Sequence, residues 1–306
     1  MEFFKQNTKI DFMAKRKWAA LFSTIICGAS LLVLAINGLQ WSLEFTGGTE
    51  IHLQFAKPAN LPLIRKTITE QGFHEVVVQT YGPTNQVMMR LPGNPDSQLD
   101  SISHKIQHVF PEATILNVNY IGPQVGKELA TDGVLALLVA FLGTAIYIAL
   151  RFEYRLAVSA IIALIHDPIV ILGVFSLFHL QFDLISLAAI LTVIGYSLND
   201  TIVVFDRVRE NFRRLRKITP TELVNLAVNQ TLFRTIMTSG LTLLAVIALF
   251  FFGGEVLHGF ATALITGIVI GTYSSIYVAG ALAVKLGLNR QDLLPVAAKN
   301  DEKLPS

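Results

Sequence analysis

The sequence predicts a polytopic α-helical membrane protein that carries one α+β domain between its first and second spans. Three observations predict it. Hydrophobic residues make up 52% of the 306 residues and charged ones only 15%, against about 25% charged in soluble domains. Six apolar runs, at 18–37, 133–150, 156–178, 184–205, 235–252 and 260–284, approach or exceed the ~20 residues that cross ~30 Å of hydrocarbon. Between the first two runs lies a polar stretch, 38–131, with the size and patterning of a small domain.

The first run follows Lys15-Arg16-Lys17, as a signal sequence would. It continues to Asn37 without a small-residue cleavage site, so it reads as an uncleaved helix over 18–37 behind a tail, 1–17. Cys27 is the single cysteine; it excludes a disulfide within the chain and reads as a small hydrophobe. A net charge of +2 is too small to point to nucleic acid. Charge placement says more. Of the 24 basic residues, 18 fall in the N-terminal tail, the link at Arg151 and Arg155, the stretch 207–234 and the tail after the sixth run. The short loops at 179–183 and 253–259 hold none. The positive-inside rule therefore places both termini in the cytoplasm.

Within 38–131, residues 43–55 alternate as a strand, with Gly47-Gly48 marking a bulge or tight bend before Thr49. Leu61, Ile64 and Ile68 share one face of a helix over 61–71 that stops at Gly72. Strands at 75–80 and 86–91 flank a turn through Gly82-Pro83. A helix over 95–110 has Leu99, Ile102, Ile106 and Val109 in phase, and a last strand covers 114–120. The order βαββαβ is the ferredoxin-like motif. His52, His74, His104 and His108 lack metal-ligand spacing, so no metal or catalytic residue is expected, and the domain reads as a binding or lever element.

Spans two to six occupy 132–286 and enclose the basic cytoplasmic stretch 207–234; a cytoplasmic tail, 287–306, follows. The charged run 206–217 continues the fourth helix into the cytoplasm as a solvated face. The alternative role for it is contact with membrane lipids that carry anionic heads or with a cytoplasmic partner. Pro220 opens a short helix over 219–230 that precedes the fifth span.

The fourth span holds the costliest residue. Asp200 stands in an apolar run with Tyr196, Ser197, Asn199 and Thr201, and a carboxylate there costs about 2.5–3.5 kcal/mol on insertion scales. Tyr196 and Ser197, four and three residues back, share its helix face. Asp167, in His166-Asp167-Pro168, is a second acid in the third span, where the proline frees the Leu164 carbonyl. Arg234, at the start of the fifth span, is a candidate partner for Asp200. An acid between burial, which favours its neutral form, and an Arg, which favours its ionised form, can exchange a proton as the bundle moves. Each residue also has a plainer role. Asp200 and Asp167 could be structural acids, Arg234 could snorkel to lipid heads, and Gly267 with Gly271 reads as a small-residue packing stripe.

Seven motifs then coincide in order: Phe45-Thr-Gly-Gly-Thr49, Ile121-Gly-Pro-Gln-Val-Gly-Lys-Glu-Leu129, Arg151-Phe-Glu-Tyr-Arg155, Ala163-Leu-Ile-His-Asp167, the stretch Gly195-Tyr-Ser-Leu-Asn-Asp-Thr-Ile-Val-Val-Phe-Asp-Arg207, Arg234-Thr-Ile-Met-Thr238 and Gly271-Thr-Tyr-Ser-Ser275. Together they closely resemble the SecF branch of the SecD/SecF family of bacterial export proteins, in the RND superfamily. Where the family usually has Ile-Asp before its Gly-Gly motif, this chain has Leu43-Glu44. The resemblance implies an RND-type half of six helices in the bacterial cytoplasmic (inner) membrane. It implies a non-enzymatic subunit that works with SecD, the SecY–SecE–SecG channel, SecA and a translocating preprotein. The proton-motive force is then the energy source, with no cofactor. It also assigns Asp200 and Arg234 to the proton pathway; from their positions, Asn199, Tyr196, Ser197 and Asp167 are secondary candidates. An RND-type small-molecule efflux carrier and a non-transporting scaffold are the competing readings.

Overall fold

The computed structural model describes residues 9–71, 73, 76–91, 99–215 and 217–289. The expected helix stop at Gly72, His74, Glu75, the residues before Leu99 and the side chain of Ile102 lie outside the described residues. So do Lys5, Arg216, Arg290, Lys299 and Lys303.

In chain order the first elements are α1 (Arg16–Asn37), β1 (Gln40–Trp41), α2 (Leu43–Thr46), β2 (Gly48–Gln54), α3 (Leu61–Glu70) and β3 (Val77–Thr80). Next come β4 (Gln86–Leu91), α4 (Leu99–Val109), β5 (Thr114–Ile121), α5 (Pro123–Arg151), α6 (Tyr154–Leu177) and β6 (Gln181–Phe182). The last are α7 (Leu184–Arg214), α8 (Pro220–Phe252) and α9 (Gly254–Tyr273), which runs through a π-helical stretch, Ser274–Ala279, into α10 (Gly280–Lys285). Among the described residues, six helical stretches are long and apolar enough to cross a membrane. Two compact units result, one helical and one α+β, with α5 contributing to both.

In the helical unit, α6, α7 and the last span are the inner helices, while α1, α5 and α8 turn long apolar faces outward. One end of the unit is closed by a core of Met13, Ile148, Phe152, Leu156, Phe205, Val208, Phe212, Leu223 and Val224. Met13 reaches that core because two asparagines one turn apart on α8 hold the chain ahead of α1. Asn229 Oδ1 accepts from Ile10 N–H at 2.9 Å and its Nδ2 donates to Ile10 O at 2.8 Å. Asn225 Oδ1 accepts from Phe12 N–H at 2.8 Å. Each bond contributes about 0.5–1.5 kcal/mol. The double variant Asn225→Ala, Asn229→Ala is therefore expected to raise amide exchange at Ile10 and Phe12 while leaving exchange in α6 unchanged. Hydrogen exchange read by mass spectrometry checks this.

Four expectations for the helices need correction. The separate short helix over 219–230 is the first part of one continuous α8, because residues 231–234 include neither Gly nor Pro. Thr219 and Glu222 form a reciprocal capping box at its start, with Pro220 in the first turn. The second span begins at Pro123 rather than near 132, with the proline in the first turn. The loop expected at 253–259 shrinks to a single turn. Gly254 takes φ +72°, Gly253 N–H closes on Leu249 O at 2.7 Å, and α9 starts at once. The sixth span is also not one regular helix, since Ser274–Ala279 is π-helical.

In the α+β unit the elements β2-α3-β3-β4-α4-β5 build a four-stranded sheet in the order β3-β4-β2-β5, every neighbouring pair antiparallel. Ile51, Leu53, Val78, Val87, Met89 and Leu91 meet Ile64, Ile68, Ile106 and Phe110 in its core. The expected strand over 43–55 is shorter. Leu43–Thr46 is a helical turn and β2 starts only at Gly48. Gly47 and Gly48, at φ +68° and +121°, turn the chain between them. A Cβ on Gly47 would lie 2.7 Å from Pro123 Cα, and one on Gly126 would lie 2.8 Å from Gly47 N. The Gly-Gly turn is thus packed against the first turn of α5, which joins two of the sequence motifs in space. Glu44 caps a different helix, since its Oε2 accepts from Leu184 N–H, the first residue of α7, at 2.7 Å.

On the other face of the sheet Glu50 stands opposite Arg90 in register, pairing with Arg90 Nη2 at 3.1 Å and with His52 Nε2 at 2.9 Å. Burial alone would raise the Glu50 carboxyl, but the hydrogen bonds with His52 and Arg90 outweigh it and hold the group below its ordinary value. The contribution of Glu50 is therefore present above the ordinary carboxylate range and is lost as pH falls through the lowered folded-state value. Glu50→Gln is expected to destabilise this unit at neutral pH by about 1.5–3 kcal/mol, with little difference from wild type in acid. Limited proteolysis across pH reads the effect.

Candidate functional site

The helical unit brings two buried acids onto neighbouring helices, each approached by at least one hydroxyl. Asp200 on α7 is 3% exposed and Asp167 on α6 is 1% exposed. Their surroundings differ. Asp167 has donors on both oxygens: Ser197 Oγ at 2.5 Å and Ser274 Oγ at 2.9 Å on Oδ2, and His166 Nδ1 at 2.9 Å from Oδ1. For Asp200 the contact among the described residues is a long one, Ser239 Oγ at 3.5 Å from Oδ2. That distance is at the limit of a hydrogen bond, so Asp200 has acceptor capacity left over.

Ser239, on α8, ends a chain of hydroxyls. Tyr196 OH donates to Ser239 Oγ at 3.1 Å, and Thr272 Oγ1 on α9 lies 2.9 Å from the same atom. With Tyr196 and Thr272 donating, the Ser239 hydroxyl hydrogen is free to point at Asp200. Side-chain hydrogen bonds of this kind link membrane helices that share no hydrophobic drive to associate.

The close approach of α9 to α7 makes these contacts possible. A Cβ on Gly267 would lie 2.2 Å from Val193 Cγ2, and one on Gly271 would lie 3.1 Å from Ser197 Cβ and 3.5 Å from Asp167 Oδ2. Gly267 and Gly271 therefore pack one turn apart against Val193 and Ser197, which are also one turn apart. Thr272 and Ser274 follow directly, Thr272 reaching Ser239 and Ser274 reaching Asp167.

Of the residues singled out from the sequence, the structure joins Tyr196 to Asp200 through Ser239, and Ser197 to Asp167. Asn199 is exposed on the outer side of α7. Arg234 is also exposed and forms no ion pair or hydrogen bond through its guanidinium among the described residues. Gly47, Gly48 and Thr49 belong to the α+β unit and serve the turn into β2. Sequence reading missed Ser239, Thr272 and Ser274. Thr272 and Ser274 lie inside a quoted motif without a role, and Ser239 directly follows another.

Comparison with known proteins places this geometry. The family model described as protein export membrane protein SecD/SecF, C-terminal, matches residues 101–289, and that of the SecD/SecF GG motif matches residues 32–59. The chain belongs to the SecD/SecF family. It is 47% identical over 296 residues to the protein translocase subunit SecF of Vibrio alginolyticus, covering 95% of this chain and 94% of that one. It is 43% identical over 292 residues to the SecF of Escherichia coli O157:H7, covering 93% and 90%. The crystal structure of SecDF from Thermus thermophilus, a translocon-associated membrane protein, superposes with a TM-score of 0.85 at 36% identity. That match covers 94% of this chain and 40% of the longer SecDF chain. For SecD/SecF members the GG motif thus corresponds here to the turn packed against α5, and the C-terminal region to the helices that carry both acids.

Proposed function

We propose that this chain converts the proton gradient into movement of exported polypeptide, with Asp200 as the group that takes and releases the proton. As a SecF-family chain it is an accessory, non-enzymatic subunit of Sec protein translocation. The observation that carries the coupling is the buried Asp200 carboxylate. It is held by one long hydroxyl contact at the end of the Tyr196/Thr272–Ser239 chain, without a contacting cation among the described residues. Arg234 is its electrostatic partner from α8.

In this reading SecD supplies the second six-helix half, consistent with the longer SecDF chain of which this one matches 40%. The SecY–SecE–SecG channel, SecA and the preprotein complete the assembly, in the bacterial inner membrane. The basic stretch after α7 and both termini face the cytoplasm, as the distribution of Lys and Arg requires. The α+β unit then stands outside, and its strand order with every pair antiparallel supports a ferredoxin-like lever domain.

The test uses inverted membrane vesicles that contain the channel, SecD and this chain, with a reporter preprotein. Export is expected to be faster with a proton gradient than without, and vesicles lacking this chain should lose the difference. An equal gradient response with and without the chain overturns the reading. Gradient-driven extrusion of a small dye in the absence of preprotein would favour the efflux alternative.

A further inference from the structure

The helical unit holds a second titratable group that the Asp200 pathway leaves unused. His166 is 6% exposed, and its Nε2 is buried without a hydrogen-bond partner among the described residues. Its Nδ1 lies 2.9 Å from Asp167 Oδ1. A buried polar atom without a partner costs free energy, so such an atom in a native structure calls for an explanation. With Nδ1–H donating to the carboxylate, Nε2 carries a free lone pair. Imidazole is the side chain whose ordinary titration falls in the physiological range.

Two backbone irregularities meet at this pair. Pro168 directly follows Asp167 inside α6, and Ser274, which donates to Asp167 Oδ2, opens the π-helical stretch. Short π-helical segments inside α-helices are frequently found at functional sites. The Tyr273 ring lies 6.4 Å from that of His166, and its hydroxyl bonds Ser23 and the Ala19 carbonyl on α1. The titratable groups on the surrounding elements are Asp167 on α6, Cys27 on α1, Asp200 and Tyr196 on α7, and Tyr273 and Tyr277 on the last span. None of them contacts a Lys or Arg among the described residues.

We propose that His166 Nε2 is a proton-binding position, paired with Asp167, and forms a second station beside Asp200. A proton arriving through water bonds to the Nε2 lone pair while Nδ1–H stays on Asp167, giving an imidazolium beside a carboxylate. Release breaks that same N–H bond and returns the proton to water. Ser197 and Ser274 hold Asp167 in place, so a change in charge at the pair is felt directly by α7 and by the π-helical stretch. This inference rests on the gradient-driven reading above.

The test has two arms. In the first, the complex with SecD carries 15N-labelled histidine in nanodiscs, and the His166 signal is identified by its loss in His166→Asn. Nε2 is expected to pass reversibly between bare and protonated forms as the sample is acidified and returned to its starting pH. One fixed state throughout that cycle overturns the proposal. In the second, His166→Asn keeps an amide at the Nδ1 position but has no titrating ring, and gradient-driven export is expected to fall by about tenfold or more. Normal export by His166→Asn, with loss of export in Asp200→Asn, overturns the second station and leaves the parent reading standing. Normal export by both variants overturns both.

Discussion

Asp200→Asn is expected to reduce export to the rate seen without a proton gradient, while the variant still inserts, folds and assembles with SecD. Asparagine has nearly the volume of aspartate and still accepts from Ser239 Oγ, so the packing of α7 against α8 and α9 is preserved. What it cannot do is change charge. An uncompensated carboxylate in this 3%-exposed position costs free energy that asparagine avoids, so the variant should be as stable as the wild type or more so. A loss of gradient-driven export together with unchanged or raised thermal stability separates coupling from structure. If Asp200 were only a structural acid, removing its charge would leave export intact.

The second large effect is expected at Gly267. An added Cβ would sit 2.2, 2.7 and 3.0 Å from Val193 Cγ2, Cγ1 and Cβ, and Val193 is fully buried. Gly267→Ala must push α9 away from α7. Overpacking of this kind costs about 1–3 kcal/mol, and here the displacement also withdraws Thr272 from Ser239 and Ser274 from Asp167. Export should therefore fall together with stability. The double variant Gly267→Ala, Val193→Ala removes both of the closest γ-carbons and is expected to recover most of each. Thermal unfolding of the purified complex, with export measured on the same preparations, checks both outcomes. A single variant that packs and exports normally would mean that the α7–α9 spacing does not set the site.

The helices were legible because a bilayer leaves few alternatives: six apolar runs of sufficient length become six spanning helices. Their ends were not. Apolar content falls away where a helix leaves hydrocarbon, but backbone hydrogen bonding does not stop there. Pro123 starts α5 about three turns, and the Thr219–Glu222 box starts α8 about four turns, before the apolar run begins. Gly254 was missed as a one-residue turn because Glu255 and His258 read as loop, although the positive φ at that glycine lets the helix restart immediately.

In the site, Asp200 and Asp167 announced themselves by the cost of burying an acid. Their partners did not, since a serine or threonine on an apolar helix is cheap and common. Only the tertiary arrangement selects Ser239, Thr272 and Ser274. The expected contact of Arg234 with Asp200 also depends on side-chain direction. In this chain Arg234 is exposed and makes no contact with Asp200 among the described residues. The Gly267–Gly271 stripe, read from sequence as close packing, is close packing, and the site depends on it.

The most direct measurement is the protonation state of Asp200 itself. Infrared difference spectra of the complex with SecD in sealed vesicles, with Asp200→Asn as the reference, isolate the C=O stretch of the protonated Asp200 carboxyl. The proton-coupling account predicts that this band gains intensity when a gradient is imposed and loses it when the gradient is dissipated. A band that stays constant, or is absent under both conditions, while wild-type vesicles continue gradient-driven export, would contradict it.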